Sequence, residues 1–441
     1  MDRLLNSRWF SPVALLVIAL ATVIVYSGTF DAPFQFDDQL NILKNRLLHD
    51  IGNFGAILFG PRGVTNATFA LNYWAGGTSV AGYHIVNTAI HIINATLVYL
   101  VILSTLRLAH YGETGARWAA FFTAALFALH PLQTQAVTYI VQRMESLSAL
   151  FYLLATLLFI RAGLAKSTPL RFALWAAIAI TYWCGFYSKE SALTLPAIIL
   201  LYDLFFFSDF KFSLAVKRWP LYALLSILFI FFSVRTVAPL VGIDLFKSAS
   251  TEIETVTIQN STTFSQAGPL STAPTKIVRR THMDTAGFGM ASIGPKSYLY
   301  TQFNVITYYF TLLLWPANQN LDYDFPVSSS LLEFPKTNSG AVLNIPLPPP
   351  LFSALFLATI VAAAVLLTLR SIKKGTGTLG KDRVIAFFIF WFFIILSPTS
   401  SFVPIRDVIY EHRLYLPSVG FFLVVVLIVE GLLGNKKSTA K

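Results

Sequence analysis

The sequence predicts an all-α polytopic membrane protein of about ten transmembrane helices plus one re-entrant or interfacial helix. Three observations carry this. Of the 441 residues, 55% are hydrophobic and only 12% are charged. That is more apolar surface than one water-soluble core can bury, so lipid has to solvate much of the chain. The apolar residues gather in windows of roughly 15 to 25, close to the about 20 that a helix needs to cross a bilayer. With the N-terminus in the cytoplasm, the inner side holds 18 of the 32 Lys and Arg against 6 of the 21 acidic residues, leaving +12 inside and −1 outside. This is the positive-inside bias of a membrane protein. The net charge of +11 thereby has a topological cause, and no nucleic-acid partner is predicted.

The first window, 11–29, is followed by Tyr26-Ser27-Gly28-Thr29-Phe30 without a small-residue cleavage site, so it is expected to stay as an anchor. An outer segment, 30–83, comes next and should form one or two short helices along the membrane, with a turn at Gly76-Gly77. Windows at 84–106, 117–130, 146–162, 172–187, 191–207 and 219–241 then alternate with short inner loops. A second outer segment, 243–348, opens with the Ser/Thr-rich stretch 248–266, which is expected to be mobile. It also contains the apolar stretch from Tyr298 to Trp315. If that stretch spanned, Lys373-Lys374 would fall outside, so its tyrosines and Trp315 are expected at the interface. Pro346 to Pro350 ends the segment before the windows 350–370, 384–398 and 414–434. The chain reads as a single integral-membrane domain, 1–441. It suits a bacterial inner membrane with its active face to the periplasm, or an endoplasmic-reticulum membrane with that face to the lumen. Cys184 stands alone in a window, so neither an internal disulfide nor a cysteine metal site is available.

Ionisable groups near a bilayer are costly and are functional candidates for that reason. Here they collect at the outer ends of the helices: Asp37-Asp38, Arg62, His84, His130, Arg143 with Glu145, Lys189 with Glu190, Arg406, and Glu411-His412-Arg413. Adjacent side chains on an extended segment point apart, so one member of Asp37-Asp38 should act and the other hold the loop. The acting carboxylate can be a general base for an acceptor hydroxyl or a ligand for a divalent cation; the plainer alternative is a solvated loop paired with Lys44. Arg143 and Lys189 open apolar helices at the depth of a lipid phosphate, which Arg grips as a planar fork and Lys as a point charge. The alternative pairs each with its neighbouring acid, Glu145 or Glu190. Arg413 is the cation most readily assigned to a phosphate leaving group, the alternative being an interfacial anchor with Tyr415. His84 and His91 share a helix face but lack a third ligand at metal spacing. There is no phosphate-binding Gly-rich loop, nucleophile elbow or dinucleotide fingerprint.

Several of these runs together resemble one known family. They are Phe36-Asp37-Asp38, Gly82-Tyr83-His84-Ile85-Val86-Asn87 with His91 and Asn94, the run from Ala128-Leu129-His130-Pro131 to Val137, Ser188-Lys189-Glu190, Asn320-Leu321-Asp322-Tyr323, and Glu411-His412-Arg413-Leu414-Tyr415-Leu416-Pro417. In combination they look like the membrane half of the transmembrane and tetratricopeptide-repeat O-mannosyltransferases and their bacterial relatives. The resemblance implies a C-type glycosyltransferase bundle that uses a polyprenyl-phosphate-linked sugar on the outer or lumenal face. It implies Asp37 as general base with Asp38 in support, and Arg143, Lys189, Arg406 and Arg413 around the lipid phosphate with Glu411 orienting Arg413. The eukaryotic members continue into tetratricopeptide repeats where this sequence stops at Lys441, so the resemblance does not carry over the acceptor, protein or glycan.

The mechanism expected on this basis is single-displacement transfer, with Asn304, Asp322 and Tyr323 as secondary candidates. A monophosphate leaving group needs less charge than a diphosphate, so side-chain cations can suffice and no cofactor is required, a divalent cation at Asp37/Asp38 being the exception to test. Transfer of a sugar or glycan to a lipid or polysaccharide uses the same donor logic. A lipid-linked-sugar flippase or transporter is the different-class alternative; it would place its ionisable residues near the midplane.

Overall fold

Every apolar window of the sequence forms helix in a computed structural model, which describes residues 8–240, 286–288, 293–335, 347–374 and 380–438. The principal helices are α1 (Phe10–Ser27), α2 (Gly63–Gly76), α3 (Val80–Leu108), α4 (Glu113–Leu129), α5 (Arg143–Leu164), α6 (Thr168–Phe186), α7 (Leu195–Tyr202), α8 (Trp219–Leu240), α9 (Pro295–Leu314), α10 (Pro350–Lys374), α11 (Lys381–Leu396) and α12 (Ser418–Ser438). Among the described residues the only β-pairing is one isolated bridge, Ala286 to Ile405. Among the described residues, seven helical stretches are long and apolar enough to cross a membrane, α7 counting with its 3-10 and π extensions from Glu190 to Phe207; the apolar part of α12, Ser418–Leu433, is shorter. The protein is thus an all-α polytopic membrane protein. The Ser/Thr-rich stretch 248–266 lies outside the described residues.

Sequence chemistry sets the helix ends. Pro169, Pro295 and Pro350 sit in the first turns of α6, α9 and α10, where a missing N–H costs nothing. Helix α2 stops at Gly77, whose φ of +58° suits a residue without Cβ. Neighbouring helices close into a ring, α5 to α3, α4, α12, α11, α7, α8, α6 and back to α5, with α10 against α11 and α1 against α3 and α4. In lipid such contacts are held by packing and interhelical hydrogen bonds rather than by water exclusion. Close approach therefore matters: a Cβ on Gly420 would meet the Phe388 carbonyl oxygen at 2.4 Å, so α12 can lie on α11 only with glycine there. Nearby, Trp391 donates its indole N–H to the Leu416 carbonyl at 3.1 Å. Helix α1 buries only a narrow stripe, Phe10, Ala14, Ile18, Thr22 and Tyr26, and leaves Leu16, Leu20 and Ile24 outward.

Two expectations about the outer segments need correction. The segment 30–83 is more broken and more helical than one or two helices. It contains a π turn (Gln39–Leu43), 3-10 turns at Arg46–His49 and Ile51–Asn53, a short helix at Phe54–Leu58, and α2. Local polar groups interrupt it, as where Asp50 Oδ1 accepts the Gly52 N–H at 2.8 Å. Helix α9 packs on α10 and is tied to the segment between α11 and α12: Tyr298 Oη reaches the Thr399 carbonyl at 2.7 Å, Gln302 Nε2 that of Val408 at 2.9 Å and Tyr309 Oη that of Tyr410 at 2.8 Å. Its tyrosines Tyr298, Tyr308 and Tyr309 are buried in protein, not set at a lipid interface: the first and last serve carbonyls of the irregular segment 397–410, and Tyr308 Oη lies 3.5 Å from the Asn318 carbonyl. Trp315, in contrast, is exposed.

Candidate active site

The end of α1, the start of α2, the start of α5, the link from α6 to α7 and the segment before α12 meet at one end of the bundle. The acidic turn is the outermost part. Phe36 takes a left-handed φ of +36°, an uncommon state for a residue with a Cβ, in a turn closed by the Asp38 N–H on the Gln35 carbonyl at 2.8 Å. The two carboxylates then part company. Asp38 is buried, and each of its oxygens accepts a backbone N–H, Oδ2 from Gln35 at 2.9 Å and Oδ1 from Val141 at 2.7 Å. It ties the turn to the start of α5, and burial raises its pKa to about 6 against the pull of those hydrogen bonds. Asp37 is exposed, with its backbone N–H on Tyr139 Oη at 2.8 Å and no hydrogen bond on its carboxylate among the described residues. Partial burial and then Asp407 raise its pKa, while Arg62 lowers it. Lys44 pairs with neither carboxylate. Each Asp38 oxygen thus accepts one backbone N–H, while the Asp37 carboxylate accepts none among the described residues.

The ion pairs behind the turn are crossed relative to sequence adjacency. Lys189 Nζ meets Glu145 Oε2 at 2.6 Å, with both side chains largely buried, and Arg62 meets Glu190 through two bonds of 3.3 Å. Burial lowers the Lys189 pKa and Glu145 opposes the shift. Side chains one or two positions apart at a helix start do not face each other, so the pairing of each cation with its own neighbour fails. Arg143 is a larger correction. It is fully buried, and its guanidinium is spent on neutral acceptors: Asn87 Oδ1 at 2.6 Å, Asn72 Oδ1 at 2.6 Å, Thr68 Oγ1 at 3.2 Å and the Tyr83 carbonyl at 3.0 Å, with Phe69 beneath it at 4.5 Å. Arg143 pins α2, α3 and α5 together and has no fork left for a phosphate.

The segment before α12 corrects two further expectations. Glu411 does not orient Arg413. It is buried and accepts from Gln319 Nε2 at 2.7 Å, from the Asn320 N–H at 2.8 Å and from the Tyr323 hydroxyl, which anchors 319–323. Arg413 is held by carbonyls, Nη1 on Val408 at 3.0 Å and Nη2 on Asp407 at 2.7 Å, with its guanidinium over Tyr410 at 5.4 Å. Asn304 is also structural, donating to the Pro348 carbonyl at 3.1 Å and accepting from Ser353 Oγ at 2.6 Å. His130 Nδ1 caps the turn that follows it, accepting the Leu132 N–H at 3.2 Å, and His84 Nε2 donates to the Ala32 carbonyl at 2.9 Å. Arg406 and Asp322 are exposed, and no side-chain bond of either appears among the described residues.

His412, named in the sequence only as part of the cluster before the last window, takes a defined place here. Gln135 Nε2 donates to the Leu321 carbonyl at 3.1 Å, which turns Gln135 Oε1 toward the His412 backbone N–H at 2.7 Å and ring Nδ1 at 2.9 Å. Nδ1 therefore carries the proton and Nε2 keeps its lone pair, without a partner among the described residues. Burial, then the charges of Lys189, Arg413 and Arg62, hold this imidazole neutral, well below its usual pKa. Its ring stacks on Tyr410 at 5.0 Å. Tyr410, in turn, feels Asp407, Asp322 and Asp37. The structure thus gathers Asp37, Arg62, Lys189, Asp407, His412 and Arg413 at one mouth, and leaves His84, His130, Arg143, Asn304 and Glu411 as its supports. The Gln135 side chain, within the run from Ala128 to Val137, was the available signal for the role of His412.

No protein-family model matches the chain, and no solved structure does. Among curated proteins it is similar to the protein O-mannosyl-transferase Tmtc1 of Drosophila melanogaster, 31% identical over 194 residues, which are 40% of this chain and 21% of that protein. It is similar to the protein O-mannosyl-transferase TMTC4 of Homo sapiens, 27% identical over 244 residues, 48% of this chain and 32% of the relative. The protein O-mannosyl-transferase TMTC1 of Homo sapiens is 35% identical over 149 residues, 32% of this chain and 16% of the relative. The chain spans at most about a third of the length of these relatives. Its resemblance to the transmembrane and tetratricopeptide-repeat O-mannosyltransferases therefore extends beyond short motifs.

Proposed function

We propose that the protein is a membrane glycosyltransferase that moves a sugar, mannose by analogy with the activity in its relatives' names, from a polyprenyl phosphate to a hydroxyl on a protein acceptor. The observation that carries this reading is the exposed Asp37 carboxylate on a turn pinned by Asp38, beside Arg413 and the ion pairs Arg62–Glu190 and Lys189–Glu145. In one displacement, the acceptor oxygen bonds to the anomeric carbon while its proton passes to Asp37. The bond from that carbon to the phosphate oxygen breaks, and its electron pair leaves with the polyprenyl phosphate, inverting the anomeric centre. The exposed Arg406 meets the developing phosphate charge, with Lys189 reaching it from its ion pair with Glu145, and Arg413, held by two carbonyls, adds a fixed positive field. His412 Nε2 accepts a hydrogen bond from a sugar hydroxyl. A C-type glycosyltransferase bundle, with the reaction on the periplasmic or lumenal face, belongs to the same proposal.

The test incubates the purified chain with polyprenyl-phosphate mannose and a Ser/Thr-rich acceptor protein, with and without a chelator. The expected product is mannosyl-Ser or mannosyl-Thr, formed equally in both. Translocation of the lipid-linked sugar across vesicles without transfer would replace this reading with a flippase, and mannose found only on lipid or polysaccharide would replace the acceptor class. Loss of transfer with the chelator would place a divalent cation on Asp37.

A further inference from the structure

At the opposite end of the bundle, about 33 Å from the mouth by the length of α5, a cavity of about 280 Å³ lies between the end of α5, the start of α6 and the segment 207–218 that precedes α8. Its walls include Phe159, Trp175 and Phe207, and its polar lining is Arg171, Lys217 and Arg218. Gly163 forms part of it, because a Cβ there would strike the Phe207 ring at 2.3 Å. We propose that this cavity binds the phosphate headgroup of an anionic phospholipid, whose acyl chains lie over its apolar rim.

The donors support this. Arg218 spends only Nη1 on the protein, on Asp203 at 2.8 and 3.0 Å and on Ser208 at 3.3 Å, so its Nε and Nη2 edge stays open. Arg171 spends only Nη2, on the Ala165 carbonyl at 3.0 Å. Lys217 is exposed and makes no ion pair among the described residues. Three cations against one paired acid leave an excess of positive charge, and open guanidinium edges match phosphate oxygens. The surroundings decide between a lipid and a free phosphate. Leu170, Phe172, Phe212 and Trp219, each within two positions of a lining residue, are at least half exposed, a surface that acyl chains cover and inorganic phosphate does not. Basic pockets between transmembrane helices are known to hold anionic headgroups.

The test uses the full chain in detergent, with native mass spectrometry and thermal unfolding against phosphatidylglycerol, phosphatidylcholine and inorganic phosphate. Phosphatidylglycerol is expected to stay bound and raise the melting temperature, with the other two showing little effect. Lys217→Gln, on an exposed side chain, should weaken binding about fivefold, and Arg171→Gln with Lys217→Gln about 20-fold, from the usual attraction of each cation for an anionic lipid. Equal binding of phosphatidylcholine, or undiminished binding of phosphatidylglycerol by the double variant, would overturn the site. Stabilisation by inorganic phosphate equal to that by phosphatidylglycerol would overturn the lipid assignment.

Discussion

The inner polar face of α3 and the mouth of the bundle are built from the same kinds of residue, and they differ in where the hydrogen bonds end. On α3, Asn87 Nδ2 reaches the Val137 carbonyl at 3.1 Å, His91 lies between Tyr415 Oη at 2.7 Å and the Ala128 carbonyl at 3.0 Å, and Asn94 Nδ2 meets the Ser146 carbonyl at 2.7 Å. Arg143 closes that network. At the mouth, the Asp37 carboxylate and His412 Nε2 retain unused capacity. The α3 face is thus closed by the chain at most of its polar atoms, Asn94 Oδ1 and His84 Nδ1 excepted, whereas the mouth keeps a carboxylate and an imidazole nitrogen open.

Breaking the scaffold should have the largest effect. Arg143→Met removes one charge but strands Asn72 Oδ1, Asn87 Oδ1 and the Tyr83 carbonyl, and is expected to cost about 3 to 5 kcal/mol. Thermal unfolding in detergent would show this as a large fall in melting temperature, or the protein would fail to accumulate. Asp38→Asn is intermediate. An amide offers one acceptor where the carboxylate satisfies two N–H groups, for a loss of about 1 to 3 kcal/mol near pH 7. Its pH signature is diagnostic. The folded pKa of Asp38, about 6, lies above the ordinary value near 4, so its folded state binds the proton more tightly. Wild type should therefore gain stability as the pH falls from 7 toward 4, by about 2 kcal/mol relative to Asp38→Asn. Unfolding curves with the same pH slope in both proteins would contradict this. The smallest effect belongs to His412→Gln, expected to raise the KM for the sugar donor several-fold with little change in melting temperature. An unchanged KM would remove Nε2 from the site.

How much of this was legible depended on the distance over which partners act. The helices were legible because an apolar window reports on itself, as 11–29 did for α1. The set of ionisable residues at one end was legible because topology alone puts Asp37, Lys189 and Arg413 there. Their pairing was not. Glu145 takes Lys189 rather than Arg143, and Glu411 takes Tyr323 and the Asn320 N–H rather than Arg413, since neighbours in sequence point apart at a turn and the true partners come from other elements. The same limit hid the role of His412, whose tautomer is set by Gln135 some 277 positions away. The tyrosines of α9 misled because amphipathic rings suit a lipid interface and an irregular protein segment equally well.

The most direct measurement compares Asp37→Asn with wild type in single-turnover transfer from polyprenyl-phosphate mannose, alongside the melting temperature of each. If Asp37 is the base on an otherwise intact mouth, the variant melts within about a degree of wild type and transfers at least about 100-fold more slowly. Transfer at the wild-type rate by the folded variant would contradict the assignment of Asp37 and, with it, the division between scaffold and site.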